Sequence, residues 1–106
     1  MITRDAQGVQ RIIKIVAEVG HVTVADICSE SRTQHVAFSR QLAIYIAREM
    51  TGLSYPKLGV LFGRDHSTVM HNYRMIEQRI LREPEFNVGV CRLMCDMDVT
   101  SAASMK

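Results

Sequence analysis

Apolar residues recur along this chain at steps of three and four and never keep a period of two, so the pattern predicts helices and no strands. Asp5 to Val19 sets Val9, Ile12, Ile13, Val16 and Val19 on one stripe, with Gly20 as the expected stop. Thr23 is placed to cap a short helix that runs out in Ser29 to Ser31, and "RTQHVAFS", Arg32 to Ser39, has little periodicity at first and reads as a loop leading into a helix. The next helix carries Leu42, Ala43, Ile46, Ala47 and Met50 and ends at Gly52. Ser54 is the cap of a short helix with Pro56 in its first turn, Leu58, Leu61 and Phe62 inward, and Gly63 at its end. Asp65 to about Arg82 forms a longer helix stopped by Pro84, and Glu85 to Met97 a last one with Phe86, Val90, Leu93, Met94 and Met97 as its buried stripe. The expected fold is therefore all-α, a compact bundle of about five or six helices. Residues 1–98 form one domain, and 99–106 a frayed, flexible tail.

Composition adds a location for the function. The chain has 106 residues, enough for one domain, and its 47% hydrophobic and 23% charged content is that of a folded protein and not a disordered one. No apolar run approaches the roughly 18 residues that cross a bilayer, and "MITRDAQGVQ" lacks the core of a signal peptide, so a cytoplasmic, nucleoid-associated protein is expected. Cys28, Cys91 and Cys95 are an odd number, expected as reduced thiols, the last two partly buried. The net charge of +2 conceals an asymmetry: Arg32 to Arg82 holds eight basic residues against three acidic, while the remainder has five basic and eight acidic. The middle of the chain favours an anionic partner.

Within that basic middle, "FGRDHSTVMHNYRMI" begins with five consecutive polar residues, Arg64 to Thr68, after a glycine. On a wheel of about 100° per residue, Val69, Tyr73, Ile76 and Ile80 lie on one side and Ser67, His71, Arg74 and Gln78 almost opposite. The first turn adds free N–H groups and the positive end of the helix dipole, suited to phosphate oxygens, although Asp65 can also cap it. Two helices joined by a glycine turn, the second led by polar groups, have the layout of a helix-turn-helix. Arg64 and Arg74 can reach phosphates, and Asp65, His66 and Ser67 can exchange hydrogen bonds with base edges.

Other chemistry fits less well. His66 and His71 are five residues apart, about 140° around a helix, and cannot share a metal as an i, i+4 pair does. Cys91 and Cys95 have that spacing but no further ligands nearby in sequence. Ser67 beside His66 is adjacency, not a nucleophile with a base and an orienter. No catalytic residue, metal or cofactor is expected.

The stretch "SRQLAIYIAREMTGLSYPKLGVLFGRDHSTVMHNYRMI", Ser39 to Ile76, resembles the C-terminal DNA-binding domain (domain IV) of the bacterial replication initiator DnaA, of TrpR-like type. Its signature is an "RQ" opening a helix and a "GRDHTTV" core, and the likeness extends from about Asp5 to Met97. The resemblance implies sequence-specific binding of double-stranded DNA boxes, a recognition helix in the major groove and a loop arginine in the minor groove. Carried over by position, Arg32 is the minor-groove arginine, and Pro56, Asp65, His66 and Ser67 meet bases. Arg40, Gln41, Arg48, Lys57, Arg64, Thr68, His71 and Arg74 hold phosphates, with about five cations neutralised.

The departures are specific. Only Gly63 precedes "RDH" where the family usually has two glycines, Ser67 stands where Thr is more usual, and Phe38 and Ser39 replace a basic residue and a proline. A lower affinity and a different preferred box are the expected consequences. The initiator's ATPase module has no counterpart here, because "GVLFGR" lacks the lysine and hydroxyl of a phosphate loop. ATP is therefore not an expected ligand, and a free-standing domain or a fragment both fit. The alternative is a protein-interaction or decoy module that acts on replication-initiation proteins through a Met-rich surface at Leu93, Met94 and Met97. A monomer is expected on DNA.

Overall fold

The computed structural model describes the backbone of residues 2–104 and the side chains of residues 2–97. Six helices follow one another: α1 (Ala6–Gly20), α2 (Val24–Cys28), α3 (Gln34–Thr51), α4 (Tyr55–Phe62), α5 (His66–Arg82) and α6 (Pro84–Ser104). The described residues contain no strand. Helix α6 continues to Ser104, and the side chains of the expected tail, 99–106, lie outside the described residues.

Helix α3 is the hub. Its Ala43, Ile44, Ile46 and Ala47 are fully buried, and α1, α2, α4 and α5 all pack against it. Apolar residues on nearly all its sides leave it no free face, so the helix is stable only when surrounded. Val9, Ile12, Ile13 and Val16 of α1, Leu58 and Phe62 of α4, Val69 and Ile76 of α5, and Val90 and Met97 of α6 complete one core. Each such aliphatic or aromatic side chain contributes about 1.5 to 3 kcal/mol by leaving water.

Three expectations need correcting. Val19 is 57% exposed, because the stripe of α1 drifts off the core in its last turn. Gly20 is the last residue of the helix, as expected, and a Cβ there would stand 2.6 Å from the Ser39 Oγ, so its smallness serves the contact of α1 with α3. The left-handed cap falls on His21, φ 56°, whose N–H bonds the Glu18 carbonyl while the Val22 N–H reaches the Ala17 carbonyl. The supposed loop 32–39 is helical from Gln34 onward, since Val36, Phe38 and Ser39 are drawn into the interior. Finally, Cys28, Cys91 and Cys95 are all exposed, the last two on the outer side of α6.

The corner between α4 and α5 is a Schellman turn. Gly63 adopts φ 66°, its N–H bonds the Val60 carbonyl, and the Arg64 N–H bonds the Gly59 carbonyl at 2.8 Å. The Arg64 carbonyl lies so close to Gly59 that an added Cβ would meet it at 2.6 Å. Because the obstructing atom is backbone, Gly59→Ala should lower unfolding free energy in urea by about 2 kcal/mol through overpacking. Gly63→Ala, where space is open but φ is positive, should cost about 1 kcal/mol. Equal stability of Gly59→Ala and the unmodified protein would show that the corner is not built on this approach.

Candidate nucleic-acid interface

Helix α5 starts at the corner with its first turn in solvent. Asp65 is the N-cap, its Oδ2 accepting from the Ser67 N–H at 3.1 Å, so the capping role foreseen for it is real. The Thr68 N–H has no hydrogen-bond partner among the described residues. The Ser67 hydroxyl and then its N–H hold the Asp65 carboxyl below its ordinary range, and His66 lowers it further. Asp65 thus stays charged as a cap at neutral pH, and a depressed value means that its contribution is lost only as pH falls through the acid range. His66 Nδ1 stands 3.7 Å from Asp65 Oδ1, both side chains more than half exposed.

The two faces of α5 are those of the helical wheel. Val69, Asn72 and Ile76 are buried, whereas Ser67, Thr68, His71, Arg74 and Gln78 are exposed. Asn72 was not foreseen in the core; its polar side chain carries no periodicity signal. An aromatic cluster fixes the roll of the helix. Tyr73 stacks on Tyr45 of α3 with centroids 5.0 Å apart, meets Tyr55 of α4 edge-on at 6.0 Å, and donates its hydroxyl to Glu49. Burial first, then Glu49, pushes the Tyr73 hydroxyl far up from its usual range, so it remains a donor. Through Tyr55 the cluster also holds the start of α4, where Pro56 and Lys57 are exposed and Ser54 caps the Lys57 N–H at 3.3 Å.

Arg32 is exposed on a short link between α2 and α3 and makes no hydrogen bond or ion pair among the described residues. The link is ordered by its own hydroxyls. Ser29 Oγ donates to the Asp26 carbonyl at 2.6 Å and accepts from the Ser31 N–H at 3.1 Å; Ser31 Oγ accepts from the Thr33 N–H at 3.3 Å. Sequence reasoning passed over these residues, although the alternation of Ser29, Ser31 and Thr33 is the signal that could have found them.

Three arginines expected at phosphates have internal partners instead. Arg40 is only 8% exposed; its Nε donates to the Ile27 carbonyl at 2.8 Å and its Nη2 to the Asp26 and Ser31 carbonyls at 3.2 and 3.1 Å. Desolvation, followed by the nearby Arg64, lowers its pKa from the ordinary value. The Arg64 Nη2 donates to the Ser29 carbonyl. Arg48 donates from Nη1 to the Leu53 carbonyl at 2.6 Å and covers the Tyr55 ring at 4.5 Å. Gln41 is half-buried on α3. The exposed members of the expected set are Arg32, Pro56, Lys57, Asp65, His66, Ser67, Thr68, His71 and Arg74. Among the described residues no three His, Cys, Asp or Glu side chains group as metal ligands, and no helix is long and apolar enough to cross a membrane.

Comparison with known proteins agrees with this geometry. The family described as bacterial dnaA protein helix-turn-helix matches residues 9–76. The chain is 43% identical over 89 residues to the chromosomal replication initiator protein DnaA of Citrifermentans bemidjiense, covering 83% of this chain and 19% of that protein. It is 44% identical over 69 residues to the same protein of Tropheryma whipplei strain Twist, covering 65% of this chain and 14% of that one. The chain therefore spans about a fifth or less of the length of these relatives. A crystal structure of a DNA replication initiation factor superposes with a TM-score of 0.80 at 28% identity, over 89% of this chain and 29% of that one. With its all-helical architecture, its glycine corner and this match over most of its length, the chain belongs to the bacterial DnaA helix-turn-helix family.

Proposed function

We propose that the chain binds double-stranded DNA at sites like those of the initiator and acts in replication initiation or its regulation. The observation that carries this reading is the exposed start of α5, where His66, Ser67 and Thr68 stand in solvent at the positive end of the helix dipole. In this reading α5 enters the major groove end-first, with Asp65, His66, Ser67 and Pro56 at base edges. Lys57, Thr68, His71 and Arg74 flank that edge and hold phosphates. Arg32 enters the adjacent minor groove, where an arginine responds to groove width and A·T content. One chain occupies one box, and ATP plays no part, since no phosphate loop is present in the sequence.

The protein-interaction reading is the weaker one. Met97 is 1% exposed and belongs to the core, and Leu93 and Met94 pack against it. This burial speaks against Met97 as part of a docking surface.

Because Arg40, Arg48 and Arg64 are engaged with carbonyls, Arg32, Lys57 and Arg74 are the freely extended cations of the face. With about three phosphates neutralised, log affinity should fall with log salt at a slope near −3, where five would give about −4.5. Fluorescence anisotropy across a salt series reads it, and a flat response would exclude the DNA reading.

His66→Ala should cost about 1 to 3 kcal/mol on the preferred duplex and narrow its advantage over random duplex. Arg74→Ala should instead weaken both duplexes alike and flatten the salt slope by about one. Full discrimination by a folded His66→Ala protein would remove His66 from base reading.

A further inference from the structure

We infer that Arg64 and Arg40 are positioning residues for Arg32, tying the minor-groove arm to the helix-turn-helix corner so that the two groove contacts act as one rigid unit. This rests on the DNA-binding reading above. Two arginines from distant parts of the chain donate four hydrogen bonds to the end of α2 and the link that follows it. Arg40, from the first half of α3, clamps the Asp26 and Ile27 carbonyls before Ser29 and the Ser31 carbonyl after it. Arg64, from the α4–α5 corner 35 residues away, takes the Ser29 carbonyl between them. The hydroxyl bonds of Ser29 and Ser31 close the remaining backbone N–H groups at Ser31 and Thr33. Arg32 follows immediately after the last clamped carbonyl and is itself exposed.

The planar guanidinium suits this work. Its several donors in fixed geometry span carbonyls that one ammonium could not satisfy together. A carbonyl-bound arginine also does not extend freely toward a phosphate. The consequence for recognition is coupling: Arg64 adjoins Asp65 and His66 in sequence, so any movement of the corner is transmitted to the backbone that carries Arg32. An arm held in place avoids the ordering cost that a loose arm meets on binding.

The test uses the whole chain and two variants, Arg64→Ala and the charge-neutral Ser29→Ala, which loosens the link without touching a cation. In the free protein, backbone order parameters at Glu30 to Thr33 should fall from about 0.85 to below about 0.6 in both. Anisotropy is then read on two duplexes that share the major-groove box and differ only in an A·T or G·C flank. The unmodified protein should prefer the A·T flank on the order of tenfold, and each variant should reduce this to about twofold or less. Arg32→Ala should do the same, and adding Arg64→Ala to it should change the preference no further. Ser29→Ala should leave the salt slope unaltered.

If Arg64→Ala weakens both duplexes equally, adds to Arg32→Ala and flattens the slope by one while Ser29→Ala has no effect, Arg64 is an independent phosphate clamp and the inference is overturned. An unmoved link in both variants overturns it whatever the DNA result. A link that loosens, in a protein whose unmodified form binds neither duplex, overturns the DNA reading on which it rests.

Discussion

A Cβ atom at position 59 would stand 2.6 Å from the Arg64 carbonyl oxygen, so the corner that brings the start of α5 into solvent closes only over a glycine. The geometry of the proposed interface follows from that approach. It brings the Arg64 N–H onto the Gly59 carbonyl, leaves Gly63 in the left-handed region and delivers Asp65 as the cap of α5. Arg64 then serves two purposes, its backbone closing the corner and its side chain reaching the Ser29 carbonyl.

How much of this was legible in the sequence depends on the range of the interaction. The stripes of α1, α5 and α6 are local periodicity, and Val9, Ile12, Val69, Ile76, Val90 and Met97 all lie where their spacing puts them. Caps at Thr23, Ser54 and Asp65 are equally local, a side chain bonding an N–H two or three residues on. What failed was decided by distant residues. Helix α3 extends back to Gln34 because Val36, Phe38 and Ser39 find partners elsewhere in the fold, and nothing within the segment signals this. The carbonyl bonds of Arg40 and Arg64 are invisible in sequence, since an acceptor 13 or 35 residues away leaves no trace in a motif. The exposure of Cys91 and Cys95 follows from the register of α6, whose inner side is taken by Val90, Leu93, Met94 and Met97.

Phe38 and Ser39, near the start of α3, are held by packing. Phe38 lies 6.0 Å from Phe86 of α6, and Arg79 of α5 covers both rings at 5.2 and 4.2 Å while pairing with Glu83 at 3.0 Å. Phe38 therefore joins α3, α5 and α6. Ser39 is buried with its hydroxyl bonded to the His35 carbonyl at 2.9 Å, opposite Gly20. Both side chains turn toward the interior, and Arg32 is the one cation of the link before them.

The central claim is spatial: one face, made of the corner, the start of α4 and the link that bears Arg32, meets the duplex. It is tested most directly by backbone NMR of the labelled protein titrated with duplex DNA containing an initiator-like box. Amide shifts should concentrate at residues 30–33, 55–57 and 64–71, leaving 85–97 of α6 nearly unmoved. Shifts concentrated on α6 or on the outer side of α1, with His66 and Arg32 unmoved, would contradict it.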